Sequence, residues 1–269
     1  MIEYRINDFQ DFTSAIVLLM RNFGNVRLWW RGQEESDWKL TPGIFRSGDE
    51  KKEQDINNLF RMKAKTRYSN CPNRDDLFSW LFLMQHYRLP TRLLDWTENP
   101  LVALFFAVEN KKSDDKDAAI WALKPSILNS TQVKKNKILL SGNVDAKPIV
   151  SEAFNVNSHN PDRKIVAVNP EQADIRQLIQ QSEFTVHGSP TPMENLNESD
   201  MFLGKILIPS NAKVAFRQLL TIFGISRSYL FPDLENLSIE LASLEFDYEA
   251  RLLEESEIIP IAPVQVENE

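Results

Sequence analysis

Cysteine is almost absent from this sequence, and the pairs of cysteine and histidine that bind zinc are absent altogether. The 269 residues include one cysteine, Cys71, and three histidines. A single cysteine excludes an internal disulfide, and no spacing matches a zinc site. The first residues are polar and lack the apolar segment of a signal peptide, and no apolar run is long enough to span a membrane. These absences predict a soluble, cytoplasmic protein that makes no contact with a membrane.

Glycine is also scarce, with eight residues in the whole chain. The sequence has no Walker-type loop, no GxGxxG, no nucleophile elbow and no HExxH, which excludes the commonest nucleotide-hydrolysing, Rossmann, α/β-hydrolase and zinc-protease classes. The net charge is −7, and this disfavours a non-specific nucleic-acid binder, because such proteins are usually basic. A local basic pocket that acts on nucleic acid remains compatible with this charge.

The apolar content of 42% is sufficient for a sizeable core. Hydrophobic periodicity predicts helices mainly in the first half of the chain and scattered strands in the second, an α+β pattern rather than a regular βαβ alternation. The predicted helices are 8–21, 49–68, 75–86, one beginning at Asn99–Pro100, 171–181, 211–222 and 233–244. The predicted strands are 26–31, 118–123, 164–168, 183–187 and 202–208.

The same patterns predict one domain over residues 1–250. Within it, residues around 125–160 are polar and poor in aromatics, and we expect an insertion with weak structure there. Residues 251–269 form an acidic tail that contains proline. We find no internal repeat.

The densest polar segment is 84–100, with the sequence MQHYRLPTRLLDWTENP, and the wholly apolar stretch LVALFFAV follows it. Polar groups are costly to bury without partners, so a polar segment held by a buried helix predicts a site. Arg92 and Asp95 lie three residues apart, where they either pair with each other or contact a ligand. Trp96 is either a stacking platform for a nicotinamide or a base, or a core residue. His86 and Thr97 complete this candidate cluster.

Two further segments carry candidate side chains. Arg31 stands at the end of a predicted strand, where its guanidinium can bind a phosphate or carboxylate bidentately, or pair with a nearby acid. Gly32, which follows it, would let a ligand approach the backbone before Gln33. Gln181 and Glu183 lie two apart, so they share one face of an extended segment; the alternative is a solvated glutamate at a helix end.

These residues resemble the FRG domain family. Trp30-Arg31-Gly32-Gln33 is similar to the family's Phe/Tyr-Arg-Gly-Gln motif, and 84–107 is similar to its HYGLPTRLLDWTxNPLVALFFA stretch, with Arg88 in place of the glycine. Farther along, QSEF at 181–184 stands where the family tends to have Gln-Gly-x-Phe, and LFPDL at 230–234 resembles its closing element. The resemblance runs from about residue 20 to about residue 240.

The resemblance implies a mixed, ADP-ribosyltransferase-like core, with a split sheet flanked by helices and NAD as the substrate. That fold carries an early Arg or His, a Ser/Thr-bearing strand before a helix, and a late Glu or Gln. Arg31 would hold the NAD phosphates. Thr97 and Trp96 would position the nicotinamide ribose, and Glu183, beside Gln181, would stabilise the transition state. His86 and Arg92 would orient the substrate. Gln33 and Asp95 would make further contacts with NAD.

For function, the resemblance implies an intracellular toxin or phage-defence effector that transfers ADP-ribose to RNA, DNA or protein. An antitoxin or chaperone would be its protein partner. A non-catalytic module that binds a nucleotide, a nucleic acid or a protein is an alternative, because Arg31, Gln33, Arg92 and Asp95 suit recognition equally well. A hydrolase or nuclease that uses His86 and an acid is the third alternative, without support from metal-ligand spacing.

Overall fold

The computed structural model describes residues 1–46, 50–155, 163–170 and 174–242, with the backbone alone at 50 and 51. The chain divides into two compact units, Met1–Ile225 and Ser226–Glu269. In the second unit, the described part contains the short helix Arg227–Leu230 and a helical stretch over 234–242. The predicted acidic tail at 251–269 lies outside the described residues, as do the ends of the predicted helices at 49 and at 243–244.

The first unit is built on one mixed sheet of eight strands, in the order β1-β8-β4-β2-β3-β7-β6-β5. The two outermost pairs, β1 with β8 and β5 with β6, are parallel, and every other pair is antiparallel. The strands are β1 (Ile2–Arg5), β2 (Trp29–Gln33), β3 (Leu93–Thr97), β4 (Ala118–Leu123), β5 (Leu139–Leu140), β6 (Ile165–Asn169), β7 (Ser182–His187) and β8 (Leu203–Ile208).

Helices flank this sheet, which confirms the expectation of a mixed fold of helices and strands. The α-helices of the first unit are α1 (Phe9–Asn22), α2 (Gly43–Arg46), α3 (Glu50–Ala64), α4 (Leu77–His86), α5 (Pro100–Val108), α6 (Pro125–Val133), α7 (Lys147–Glu152), α8 (Ile175–Gln180) and α9 (Lys213–Ile222). None of the helices in the described ranges is both long enough and apolar enough to cross a membrane.

Side-chain caps set the start of the main helices. The Asp8 carboxylate accepts from the backbone N–H of Asp11 at 2.8 Å before α1, and Asp76 accepts from Ser79 at 3.2 Å before α4. Asn99 caps α5, and Pro100 occupies a first-turn position where its missing N–H costs nothing. These caps explain why the predicted helix starts are close to the observed ones.

Each face of the sheet carries its own apolar core. Side chains alternate between the two faces of a strand, so Leu93 and Phe184 lie on one face, and Leu94 and Trp96 lie on the other. The first face packs against α4 and α7 through Phe82, Met84, Ile149 and Val150. The second face buries Trp29, Trp121, Leu128, Met193 and Phe202.

The ladder between β2 and β3 has the fewest paired residues of any in the sheet. One register pair, Trp30 with Thr97, joins these two strands, whereas β3 and β7 share five pairs. Beyond Trp30 the two strands diverge, and a gap opens between Gln33 on one side and Leu94 on the other. The sheet is therefore continuous, but it has one weak junction near its centre.

Two sequence predictions need correction. The segment that follows Pro125 is not weakly structured, because α6, β5 and α7 occupy much of 125–152 and β5 extends the sheet. The polar composition of this segment misled the prediction: Asn129 is buried, and its amide bonds the backbone of Ala167 in both directions, at 2.7 and 2.9 Å. The strands β1 and β3 are not among those that the hydrophobic pattern predicts. The four residues of β1 alternate too briefly to stand out, and β3 lies within the polar segment 84–100.

Candidate functional site

A cleft opens at the gap between β2 and β3. Its volume is about 430 Å³, within the range of small-molecule sites. Side chains from both faces of the sheet line it, since Leu93 belongs to one face and Leu94 to the other. The lining residues that matter below are Arg31, Glu34, Trp38, Arg46, Gln85, Arg88, Asp95, Thr97, Phe106, Arg176 and Ser182.

Arg31 occupies the gap where the β2–β3 ladder is missing. Its Nη1 donates to the backbone oxygen of Asp95 at 2.7 Å and lies 3.8 Å from the Asp95 carboxylate. Its Nε is buried and has no hydrogen-bond partner. Burial lowers the pKa of Arg31, and the neighbouring charge of Arg46 lowers it further, while Asp95 raises it. A buried guanidinium N–H without an acceptor is costly, so this atom can receive an anionic ligand.

The cleft is lined by more positive than negative charge, although the whole chain is acidic. Four arginines line it, against two carboxylates, those of Glu34 and Asp95. The side chains of Arg46 and Arg88 have no hydrogen bond or ion pair to the described residues. A cleft of this polarity attracts phosphate or carboxylate groups.

Asp95 is held on the cleft wall by a short chain of hydrogen bonds. Gln85 Nε2 donates to the Asp95 carboxylate at 2.8 Å, and Thr91 Oγ1 donates to Gln85 Oε1 at 2.6 Å. Asp95 is half exposed and therefore accessible to a ligand. This network assembles the end of α4 and the start of β3 into one wall.

All four residues of the motif Trp30-Arg31-Gly32-Gln33 line the cleft, but Gly32 and Gln33 also have packing roles. A Cβ on Gly32 would lie 1.9 Å from the carbonyl oxygen of Ala103, so this glycine admits helix α5 rather than the ligand that the sequence suggested. Gln33 is buried, and its Oε1 accepts from the indole N–H of Trp121 at 2.7 Å. Within the motif, Arg31 is the side chain that is placed to bind a ligand.

Thr97 and Trp96 are engaged with the fold. The Thr97 hydroxyl donates to the backbone oxygen of Gln180 at 2.6 Å and accepts from the N–H of Asn99 at 3.0 Å, so it joins α8 to the start of α5. Trp96 is buried, and its indole N–H donates to Thr185 Oγ1 at 3.0 Å. Both residues line the cleft, but Trp96 is a core residue rather than an exposed stacking surface.

Glu183 and Gln181 stand apart from the cleft. Ser182, which lines the cleft, pairs with Thr97, whereas Glu183 pairs with Trp96 and projects from the other face of β7. One carboxylate oxygen of Glu183 is buried without a partner. Gln181 is an exposed residue with a left-handed backbone at the end of α8, and its carbonyl accepts from Glu98.

The pKa of Glu183 is raised to about 8, first by burial and then by the nearby charge of Glu98, against the opposing effect of Arg27. The ordinary value is 4.5, so between pH 4.5 and 8 the folded chain holds a proton that the unfolded chain has released. Unfolding then releases this proton, and stability falls as the pH rises through this window.

Glu183→Gln should therefore raise the melting temperature relative to the unsubstituted chain, by an amount that increases from pH 5 to pH 8, because glutamine remains neutral throughout. Thermal denaturation across this pH range measures the difference. Glu235→Gln, which removes a carboxylate at an exposed position in the second unit, is the control. A constant gap for Glu183→Gln would contradict a raised pKa.

Arg92 is a structural residue. It is buried, with hydrogen bonds to both carboxylate oxygens of Glu53, one of them at 3.0 Å. It also bonds Glu152 at 3.0 Å and the carbonyl of Ile149 at 2.7 Å. Burial alone lowers the pKa of Arg92, but these bonds outweigh it and the pKa is raised. Arg92 thus joins α3 and α7 to the start of β3. It does not pair with Asp95, and it does not line the cleft.

His86 also lies outside the lining of the cleft. Its Nδ1 is 3.0 Å from the carboxylate of Asp174, the residue that caps α8. The neighbouring residue Gln85 points into the cleft in its place. Neighbouring residues of a helix point about 100° apart. His86 therefore belongs to the polar segment 84–100 in sequence, but its side chain does not enter the cleft that Gln85 lines.

Arg46, Trp38, Arg176 and Ser182 are cleft residues that the sequence analysis did not select. Each stands far along the chain from the dense segment 84–100, and Arg46 and Trp38 follow no motif. Ser182 lies between the selected residues Gln181 and Glu183, and Arg88, a further cleft residue, differs from the glycine of the family's stretch. The described part of the chain holds no group of three or more His, Cys, Asp or Glu residues that could bind a metal ion.

A second cavity of about 530 Å³ lies between α3 and α4. Its walls are almost entirely apolar, with Leu59, Phe60 and Leu83, and Lys63 and Arg67 are the charged residues that line it. Its lining residues include no carboxylate and no histidine.

Comparison with known proteins identifies one family. Residues 26–116 match the family model of the FRG domain. This range covers β2, the cleft wall formed by α4 and β3, and the helix α5, which packs closely on Gly32. No curated protein and no solved structure matches the chain. The family match confirms the resemblance drawn from the Arg31 motif and the segment 84–107.

Proposed function

We propose that this chain, in which residues 26–116 form an FRG domain, is an ADP-ribosyltransferase-like enzyme that binds NAD in the cleft between β2 and β3. It would act as an intracellular toxin or defence effector on a macromolecular acceptor. The observation that carries the proposal is the buried, unpartnered Nε of Arg31 inside an arginine-lined cleft. A diphosphate oxygen would supply the missing acceptor.

The charge of the cleft favours a ligand that carries a diphosphate. The diphosphate of NAD carries two negative charges, and the planar guanidinium of Arg31 can contact two of its oxygens together. Nη1 of Arg31 is already held by the Asp95 carbonyl, so the fork is oriented before the ligand arrives. Preorganisation of this kind increases affinity because little side-chain freedom is lost on binding.

The topology supports the same proposal. The strands that carry the three resemblance elements, β2 with Arg31, β3 with Thr97 and β7 with Glu183, are adjacent in the sheet. The single register pair between β2 and β3 favours a core that is close to a split sheet. A gap of this kind places side chains from adjacent strands around one ligand.

Within the proposed reaction, the bond between the nicotinamide nitrogen and the ribose C1′ breaks, and nicotinamide leaves with the electron pair. An acceptor nucleophile then bonds C1′ and loses its proton. Positive charge develops on the ribose, and a carboxylate nearby stabilises it. Asp95 is the acid with the best placement, because it is accessible and lines the cleft. Glu183 would first have to turn towards the cleft and lose its proton.

The proposal predicts transfer of label from NAD to an acceptor. Purified protein is incubated with NAD labelled in the adenylate, together with RNA, DNA and lysate protein, and the labelled class is identified. Arg31→Ala should reduce the initial rate by at least about tenfold, the weight of one charged hydrogen bond. Arg31→Lys, which keeps the charge and loses the fork, should fall between the two.

The matched control is Arg5→Ala, because Arg5 is exposed on β1 and pairs with Asp117 away from the cleft. It should keep the full rate. Far-UV circular dichroism of each variant shows whether the fold is retained. Intact NAD with every acceptor class would overturn the transferase proposal.

A non-catalytic nucleotide-binding module is the second candidate. The observation that favours it is that Glu183 is absent from the lining of the cleft, whereas its neighbour Ser182 is part of it, so the late glutamate does not face the ligand. NAD or ADP-ribose that binds in an Arg31-dependent manner, with no product from any acceptor, would establish this alternative.

A further inference from the structure

Arg88 has a backbone conformation that arginine rarely adopts. Its φ is +62°, in the left-handed region that favours glycine. The residue ends α4 in a Schellman motif: the N–H of Leu89 bonds the carbonyl of Met84 at 3.0 Å, and the N–H of Arg88 bonds that of Gln85 at 2.9 Å. Glycine is the usual residue at this position, and glycine stands there in the FRG stretch that this segment resembles. An arginine at this position therefore carries a conformational cost.

The Arg88 side chain is placed to bind a ligand, which gives a reason for the conformational cost. It is exposed and lines the cleft, and it has no hydrogen bond or ion pair to the described residues. Arg46, also exposed and without such partners, lines the cleft as well. Residues with a strained backbone are concentrated at active sites and ligand-binding sites, where the strained conformation places a side chain against the ligand. Two guanidinium groups that line one cleft without partners among the described residues can contact more than one anionic group.

The lining of the cleft also contains an aromatic side chain. Trp38 lines the same cleft, and 40% of its surface is exposed, which is unusual for a tryptophan that packs only within a core. Cationic side chains together with an exposed aromatic ring are the elements that hold single-stranded nucleic acid, since phosphates contact the cations and a base stacks on the ring.

We propose that the rim formed by Trp38, Arg46 and Arg88 binds a single nucleic-acid strand, which is the acceptor of the ADP-ribosyl group. This inference rests on the proposed transferase function, because it identifies the second substrate of the same cleft. The acidic chain as a whole repels nucleic acid, so binding is confined to this rim and requires an unpaired strand that can enter it.

The test measures fluorescence anisotropy of a labelled 12-nucleotide RNA, with the DNA of the same sequence and its duplex as further arms. Arg88→Gly should weaken binding of the single strand by about five- to tenfold. It should also reduce the slope of log affinity against log salt by about 0.7, the value for one phosphate contact on a single strand. Trp38→Ala should weaken binding without changing the slope, because stacking releases no counterion.

Lys134→Gly is the matched control. Lys134 has the same left-handed backbone, with φ +60°, at the end of α6, and it is exposed outside the cleft. Both glycine variants should raise the melting temperature by about 2 °C or more through release of strain. Only Arg88→Gly should lose affinity for the strand, so a loss in both variants would overturn the assignment of Arg88.

The two proposals can fail separately. NAD binding by the unsubstituted chain, with no affinity for either single strand, overturns the strand inference and leaves the transferase proposal standing. Strand binding without NAD binding overturns the transferase and keeps the rim as a nucleic-acid site. An acidic peptide of equal charge that binds as tightly as the RNA, with the same loss in Arg88→Gly, overturns the strand inference in favour of a protein acceptor.

Discussion

Arg92→Ala should destabilise the fold by about 3–5 kcal/mol, the cost of leaving a buried charge without its partner. Glu53 is almost fully buried, and its carboxylate has Arg92 as the counter-ion in contact with it. The same guanidinium bonds the carbonyl of Ile149 and the carboxylate of Glu152, so the substitution also detaches α7 from β3. Urea denaturation of the two proteins measures the loss.

A double-mutant cycle separates the ion pair from the cavity that alanine leaves. Glu53→Gln alone should also destabilise, and adding it to Arg92→Ala should recover part of the loss, because it removes the orphaned charge. The contrast is Arg27→Ala, which breaks a pair in which the arginine is 74% exposed, and this should cost at most about 1 kcal/mol. Equal effects at both pairs would contradict the buried network.

Gly32→Ala should cost about 3 kcal/mol or more, at the upper end of overpacking in a core. The added Cβ would lie 1.9 Å from the Ala103 carbonyl oxygen and 2.7 Å from the Ala107 amide nitrogen. Both atoms belong to the backbone of α5, so no side chain can rotate to make room. The helix would have to move off β2 and so distort the cleft wall that carries Arg31.

Gly43→Ala is the matched control for this substitution. Its added Cβ would meet Pro90 at 3.5 Å, an ordinary contact, and the φ of Gly43 lies outside the left-handed region. The stability of Gly43→Ala should remain within about 0.5 kcal/mol of the unsubstituted chain. Thermal denaturation of both variants gives the comparison, and a mild effect of Gly32→Ala would contradict the close approach of α5.

Local signals in the sequence predicted much of the fold. Asp8, Asp76 and Asn99 cap helices that begin near the predicted positions, and the apolar run at Ala118–Leu123 is a fully buried strand. The order of the strands could not be predicted, since it depends on pairings between residues that are distant along the chain. The structure at 125–152 was missed because tertiary hydrogen bonds, such as those of Asn129, compensate for its polar composition.

The candidate site was predicted in part. Arg31, Asp95, Thr97, Trp96 and Gln33 line the cleft, as their place in the motifs suggested. Arg92 is as prominent in the sequence as Arg31, yet its partners Glu53 and Glu152 lie 39 and 60 residues away, so burial in an ion network was not evident. Sequence spacing shows which side chains share a face, but it does not show which face borders a gap in a sheet.

The measurement that tests the central claim most directly is calorimetric titration of NAD into the purified chain, with Arg31→Ala and Arg5→Ala in parallel. The account predicts saturable binding at one site per chain, with affinity reduced by at least about tenfold in Arg31→Ala and unchanged within twofold in Arg5→Ala. Absence of binding to the folded, unsubstituted chain, or equal binding by Arg31→Ala, would contradict the assignment of the β2–β3 cleft as a nucleotide site.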